Sequence, residues 1–308
     1  MQPPFETDSV SPQTPLVEEG AAWLAGWVRS DSSPGAPSVA EVVAAARVLC
    51  DAQPAMAAFV ALATRAVSVA RKAEAEEAPP AERVERIVTA IETWRADFTA
   101  AGEAIVRASP EALPATGWVA TFTRSSLVER ALLAAHEAKR PLHVLCAESR
   151  PMNEGRDLAV ALAARGVPAW LAVDGALGLL LPQAAALWLG VDAVREHTFV
   201  AKAGTYGLVL VAREINLPVW LFAQRAKFLP DRCRRLALPR RDPAEVWPDA
   251  PSGVNVVNLP FEEVPLGLAR GVLTESGFLG PREIEDAAAS TPVAPELLDP
   301  APPLATTR

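Results

Sequence analysis

The sequence predicts an α/β fold, a helical bundle over residues 18–112 followed by a parallel-sheet domain over residues 113–282. Two changes of pattern carry that reading. Up to about residue 110, apolar residues recur at intervals of three and four; from about residue 116 they gather in short runs separated by amphipathic stretches. Strands alternating with helices imply βαβ units, right-handed crossovers and a parallel sheet. The third observation is the stretch ESRPMNEG, residues 148–155. It follows an apolar run at 142–146 and precedes a helical pattern at 156–164, so it lies at the carboxyl end of a strand. That edge is where open α/β sheets bind ligands.

In chain order, the predicted helices are EEGAAWLAGWVRS, SVAEVVAAARVLCDA, PAMAAFVALATRAVSVARKAEAE and AERVERIVTAIETWRADFTAAGEAIVRA. Ser38 suits an N-cap, with Glu41 three residues on to complete a capping box. Pro54 and Pro79–Pro80 fall at helix boundaries. The predicted strands are WVATF, LHVLC, AWLAV, ALWLG, PVWLF and VNVVN, interleaved with helices such as SLVERALLAAHEAK and GTYGLVLVAREIN. Residues 1–17 and 283–308, rich in Pro, Ser and Thr, are expected to be disordered tails.

Composition narrows the function. Half of the 308 residues are hydrophobic and the formal charge is −8. An acidic chain lacks the basic face of a nucleic-acid binder. No apolar run reaches membrane-spanning length and no leader pattern opens the chain, so neither a membrane nor a nucleic-acid partner is expected and a cytoplasmic location is. Cys50, Cys146 and Cys233 are scattered, without metal-ligand spacing, and no metal or cofactor is expected. Neither GxGxxG nor GxxxxGK[ST] is present. Only Lys72, Lys139, Lys202 and Lys227 are lysines among 29 basic residues, so each lysine stands out against arginine.

A parallel sheet aligns its strand ends, which gathers the polar residues that follow each strand. These are Thr121–Ser126, then Glu148, Ser149, Arg150 and Glu154, then Asp174, Asp192, Lys202, Gly204 and Thr205, and last Gln224, Arg225 and Lys227. Helix amino termini with Arg124, Arg150 and Lys202 suit a phosphate, and the carboxylates suit hydroxyl groups. A phosphorylated small molecule satisfies both sets. Each residue also has an ordinary role open to it: Asp174 as a turn residue, Thr205 as a helix cap, Glu148 and Arg150 as a mutual pair, Cys146 as a buried strand residue.

The ordered set ESRPMNEGRDLAVALAARGVPAWLAVDGA, GVDAV, AKAGTYGLVLVA, PVWLF, NLPFEEVP and LTESG resembles the regulatory alpha, beta and delta subunits of eukaryotic initiation factor 2B. It is similar as well to the related isomerases of methylthioribose 1-phosphate and ribose 1,5-bisphosphate. The resemblance covers roughly residues 20–282 and includes the Gly35-Ala36 turn. It implies a helical bundle followed by a Rossmann-like parallel-sheet domain, and a homo-oligomer, dimer or higher. It also implies that Asp192 matches the isomerases' catalytic aspartate and that Thr123 stands where they carry a catalytic cysteine. Their Asn-Lys pair becomes Ala201-Lys202, the arginine before the Gly-Ala turn becomes Pro34, and a second substrate-contacting arginine matches Arg65. Glu154 matches the initiation-factor branch. The implied ligand-binding set is Gly35, Ala36, Arg65, Arg124, Ser125, Arg150, Glu154, Lys202, Gly204 and Thr205.

A threonine hydroxyl does not ionise near neutrality, whereas a thiol with a pKa around 8.5 can be tuned. The resulting expectation is an initiation-factor-2B-like protein that binds a sugar phosphate or nucleotide phosphate without efficient isomerase activity. An active isomerase using Asp192 with another group, and a structural subunit without ligand, are the alternatives.

Overall fold

The computed structural model describes residues 3–5, 13–30, 35–113, 117–234 and 236–298. Four helices come first: α1 (Gln13–Ser30), α2 (Val39–Ala52), α3 (Ala57–Ala75) and α4 (Pro80–Ala112). The capping box expected at Ser38 is present. Its hydroxyl accepts the Glu41 N–H at 3.3 Å and the Glu41 carboxylate accepts the Ser38 N–H at 2.7 Å. Pro80 opens α4 at a position whose N–H would have no helical partner anyway. The apolar stripes of the four helices meet around Leu24, Leu49, Phe59, Leu62, Ile87 and Ile91, all buried.

The second part runs β1 (Trp118–Thr121), α5 (Ser126–Glu137), β2 (His143–Ala147), α6 (Glu154–Ala164), β3 (Ala169–Ala172), α7 (Asp174–Leu180) and β4 (Ala186–Gly190). There follow β5 (Ala193–Val194), β6 (Thr198–Lys202), α8 (Thr205–Glu214), β7 (Val219–Phe222), β8 (Phe261–Pro265), β9 (Gly271–Thr274), β10 (Gly277–Leu279) and α9 (Pro281–Ala289). The main sheet has the order β10-β9-β7-β4-β1-β2-β3, parallel except for the edge strand β10. A small antiparallel sheet, β5-β6-β8, stands apart from it. Both faces of the main sheet are covered. In β4, Leu187 and Leu189 point into one core and Trp188 into the other, where it packs on Phe222. Burial on both sides is why the inner strands β1, β2, β4 and β7 read as unbroken apolar runs rather than as alternating patterns; at the edge strand β3, Trp170 and Leu171 stay exposed.

Strand order locates the functional edge. The chain lays β1, β2 and β3 outward in one direction, then returns to place β4 on the other side of β1. The connections after β1 and β4 therefore diverge, which opens a crevice at their carboxyl ends.

Three expectations need correction. VNVVN, residues 254–258, is no strand; it lies in a loop, with Val254 and Val257 exposed. The proposed tail from 283 is ordered as far as 298. Ile284, Ala287 and Ala288 of α9 pack on the sheet domain, and Ala294 and Leu297 enter the core of the helical part. At the other end, α1 already begins at Gln13 and Phe5 is buried, stacked on Phe59 with ring centroids 5.5 Å apart. The Pro- and Ser-rich composition hid a few well-placed apolar residues. Residues 1–2, 6–12 and 299–308 of those tails lie outside the described residues.

Candidate functional site

The crevice is built from short, tightly placed turns. After β1, Thr123, Arg124, Ser125 and Ser126 lead into α5, where Ser125 is the N-cap and its hydroxyl accepts the Val128 N–H. That turn presses on the end of β4. A Cβ at Gly190 would lie 2.2 Å from Ser125 Oγ, so only glycine permits the approach. Beyond Gly190, Asp192 is held by its backbone. Its N–H donates to Val200 O at 2.9 Å, and its carbonyl accepts the Ala57 N–H at the start of α3 at 3.1 Å. Glu154 begins α6, and the next residue is pinned just as closely: a Cβ on Gly155 would lie 1.7 Å from Ala147 O. Lys202 ends β6, and Lys227 sits in a one-turn 3-10 segment after β7.

Residues 123–126, Glu154, Gly190, Asp192, Lys202 and Lys227 line one cavity, which Leu16, Gln53 and Met56 close from the helical part. Pro151, Met152, Pro260 and Phe261 supply apolar wall, and Arg241 and Glu245 reach in from the long loop after β7.

The cavity's charges are mostly sheltered from water. Lys202 Nζ donates to Glu154 Oε1 at 2.6 Å, with the two side chains only 8% and 12% exposed. Lys227, buried, donates to the Val191 carbonyl at 3.0 Å. Burial pushes the Asp192 carboxyl up to about 6, opposed by the cations of Lys227 and Lys202. Burial likewise pulls the Lys227 ammonium down to about 8, opposed by Asp192. Arg124, in the turn before α5, donates from Nε to Glu129 Oε2 of that helix at 2.8 Å. Arg241 donates to Gln53 Oε1 at 3.0 Å, and the Gln53 amide donates to Phe5 O at 2.9 Å. Four cationic side chains and a helix amino terminus thus border a space that also offers carboxylate acceptors.

Of the residues singled out in the sequence, Thr123, Arg124, Ser125, Glu154, Asp192 and Lys202 come together here. Gly35 and Ala36 precede α2 and do not line the cavity; Pro34 lies outside the described residues. Arg65 stands on the exposed face of α3 over a separate surface groove. Arg150 is exposed, and its guanidinium donates to the Val246 and Pro151 carbonyls. Gly204 and Thr205 are absent from the lining because the start of α8 is already occupied. The Glu262 carboxylate accepts the Tyr206 N–H at 2.7 Å, and Thr205 Oγ1 donates to the Lys202 carbonyl at 2.6 Å. The amino terminus of α5 borders the cavity instead, through Ser125 and Ser126.

The ordinary roles account for three other residues. Asp174 accepts the N–H groups of Ser149 and Arg150, each at 2.7 Å, and so organises the turn after β2. Glu148 pairs with Arg156 rather than Arg150. Cys146 is fully buried among apolar residues of the sheet core, and burial pushes its thiol up to about 12, far from any working acid–base range.

The sequence places Lys227 among the strand-end residues but not in the implied ligand-binding set, although the scarcity of lysine that drew attention to Lys202 applies equally to it. Arg241, Glu245 and Gln53 had no such signal, since the loop after β7 and the end of α2 meet the crevice only in the folded chain.

A family model described as the initiation factor 2 subunit family matches residues 27–281 of the chain. A methylthioribose-1-phosphate isomerase of Trichoplax adhaerens is 33% identical over 151 residues, 46% of this chain and 42% of that protein. An eIF-2B subunit 2-like protein of Pyrococcus abyssi is 32% identical over 170 residues, 54% of this chain and 59% of the other. The chain thus spans about half the length of these curated relatives. The crystal structure of the Pyrococcus horikoshii OT3 translation initiation factor eIF-2B superimposes with a TM-score of 0.77 at 22% identity. That match covers 91% of this chain and 96% of that one, and it supports the fold.

Proposed function

The chain belongs to the initiation factor 2 subunit family, and from that premise we propose that its cavity holds a phosphorylated sugar or a nucleotide phosphate. The observation that carries this reading is the convergence of Arg124, Lys202, Lys227 and Arg241 on one crevice beside the amino terminus of α5, in a chain of formal charge −8. Cations concentrated in one sheltered place suit an anion. The carboxylates of Glu154 and Asp192 suit the hydroxyl groups of a sugar. Without ligand, Lys202 is satisfied by Glu154; a phosphate competes for that ammonium while the sugar takes over the carboxylate. With Thr123 at the turn after β1, the thiol-dependent route of the related isomerases is closed.

The test is a thermal-shift and calorimetric comparison of methylthioribose 1-phosphate, ribose 1,5-bisphosphate and nucleoside monophosphates against unphosphorylated ribose. Phosphorylated ligands are expected to bind and raise the melting temperature, and ribose is not. Arg124→Ala removes a charge-assisted contact worth roughly 1.5–3 kcal/mol, so affinity should fall by at least ~10-fold. Ribose binding as well as its phosphates, or no response to any phosphate, overturns the reading; the second outcome leaves a structural subunit.

The same reading includes an assembly of two or more copies. The sequence gives a second hint, the apolar segment 258–273, but that segment is largely accounted for inside the protomer, where Val264, Leu266, Val272 and Leu273 are buried. Support comes instead from surface apolar residues: Trp170, Leu171 and Val173 at β3, and Leu179 on α7 at 81% exposure. Light scattering should return at least twice the chain mass of 32.6 kDa. A monomer at every concentration sinks this part of the proposal.

A further inference from the structure

We propose that Lys227 does the work of the missing thiol, so that Lys227 and Asp192 are the proton donor and acceptor of a thiol-independent isomerisation of the bound sugar phosphate. This rests on the ligand reading above and adds a reaction to it. Most ionisable groups of the cavity wall are unsuited to proton transfer. Arg124 and Arg241 hold their protons too firmly to exchange them. The Thr123 hydroxyl does not ionise in the working range. Lys202 and Glu154 neutralise each other at 2.6 Å, and the Glu245 carboxylate accepts the Asn258 amide at 2.7 Å. Cys146 lies in the sheet core and does not line the cavity.

Lys227 and Asp192 remain. Both are buried and both line the cavity, and Lys227 donates to the carbonyl of Val191, the residue immediately before Asp192. Burial brings the carboxyl up to about 6 and the ammonium down to about 8, and the attraction between the two charges limits both shifts. Near neutrality Asp192 is therefore a base and Lys227 an acid, the arrangement that general acid–base catalysis needs.

The step balances with these two groups alone. The Lys227 ammonium protonates the ring oxygen of an aldose 1-phosphate as the C1–O bond breaks, and the bonding pair leaves with that oxygen. The hydrogen on C2 moves with its electron pair to C1. Asp192 takes the proton of the C2 hydroxyl as the C2 carbonyl forms. C1 is reduced and C2 oxidised within one molecule, so no external oxidant is required. A proton passed from Asp192 to Lys227 restores both groups.

The experiment measures ketose phosphate formation from methylthioribose 1-phosphate and ribose 1,5-bisphosphate, with binding measured separately by calorimetry. The parent protein is expected to turn over at least one of them with a bell-shaped kcat/KM profile, which reports the groups of the ligand-free protein. Its limbs should lie near the pair's values of about 6 and about 8, as apparent constants of the coupled pair. Lys227→Met should still bind the ligand, more weakly for the loss of one of the four cations, yet lose at least ~100-fold in kcat at saturating ligand. Lys227→Arg keeps the charge but cannot release a proton, so it should not rescue turnover, whereas a purely electrostatic role would be rescued. Where either variant fails to fold, the parent's alkaline limb decides: activity that stays flat through the Lys227 range overturns the assignment. Binding without turnover in the parent, or turnover unchanged by Lys227→Met, overturns this inference and leaves the ligand reading standing. Absence of binding overturns both.

Discussion

A chain ending at Gly280 is expected to fail to fold, or to melt far below the parent. Residues 281–298 do not form a tail. Ile284 and Leu297 are both fully buried, one against the sheet and the other in the core of the helical part. Replacing a buried Leu or Ile by Ala costs about 2–5 kcal/mol, and removal exposes what each had covered as well. The backbone of the segment is also built in. Ala294 N–H donates to Thr64 Oγ1, the Glu296 carbonyl accepts Arg47, and the Leu298 carbonyl accepts the Arg234 N–H at 2.7 Å. Arg232 closes the far end of α9 by donating to the Ala289 carbonyl. Two buried anchors of that size approach the whole stability of an ordinary domain, about 5–15 kcal/mol. Leu297→Ala, a milder variant, should lose about 2–5 kcal/mol in denaturant unfolding. A truncated protein with the parent's melting temperature would show that the segment contributes nothing.

That segment also marks a limit of the sequence. The helical bundle and the alternation of strands and helices were legible because both patterns repeat over many residues. ALWLG announced a doubly buried strand, and Ser38 with Glu41 announced a helix start. By contrast, Phe5, Ala294 and Leu297 are single apolar residues in Pro-rich surroundings, and no period connects them to the core they enter. VNVVN misled for the opposite reason: apolar residues were present, but the loop leaves Val254 and Val257 in water.

The site divides along the same line. Residues directly after β1 and β4, with Asp192 and Lys202, followed from strand-end logic because a parallel sheet aligns those positions. The start of α8 had the right residues for an anion seat, yet Glu262 from the neighbouring β8 already fills it. Such competition between side chains far apart in sequence leaves no local trace. Arg241 and Glu245 are invisible for the same reason, since an irregular loop carries them into the cavity.

Lys202 carries the other large effect, and burial reverses what the sequence suggested for it. A lysine poised at an exposed ligand edge would be replaced with little cost to folding. Lys202 is instead 7% exposed and bound to a carboxylate that is nearly as sheltered. Lys202→Met therefore strands the Glu154 charge in a site with little water, and breaking a buried pair in this way costs about 3–5 kcal/mol. Glu154→Gln strands the ammonium and should be similarly harmful. Removing both charges together, Lys202→Met with Glu154→Gln, should cost clearly less than the sum of the two, by about 1–3 kcal/mol. The pH dependence has a definite sign. Asp192 has a folded value of about 6, raised from 3.8, and Lys202 helps to hold it down. A carboxyl raised by folding contributes stability that is complete below its unfolded value and lost as pH rises through its folded one. Taking Lys202 away raises Asp192 further and deepens that loss. The deficit of Lys202→Met relative to the parent should thus be smallest in acid and grow as pH rises through about 6. Denaturant unfolding of the four proteins at acidic and neutral pH measures every term. Single variants as stable as the parent, or a deficit that shrinks toward neutral pH, would mean that the pair is not buried as described.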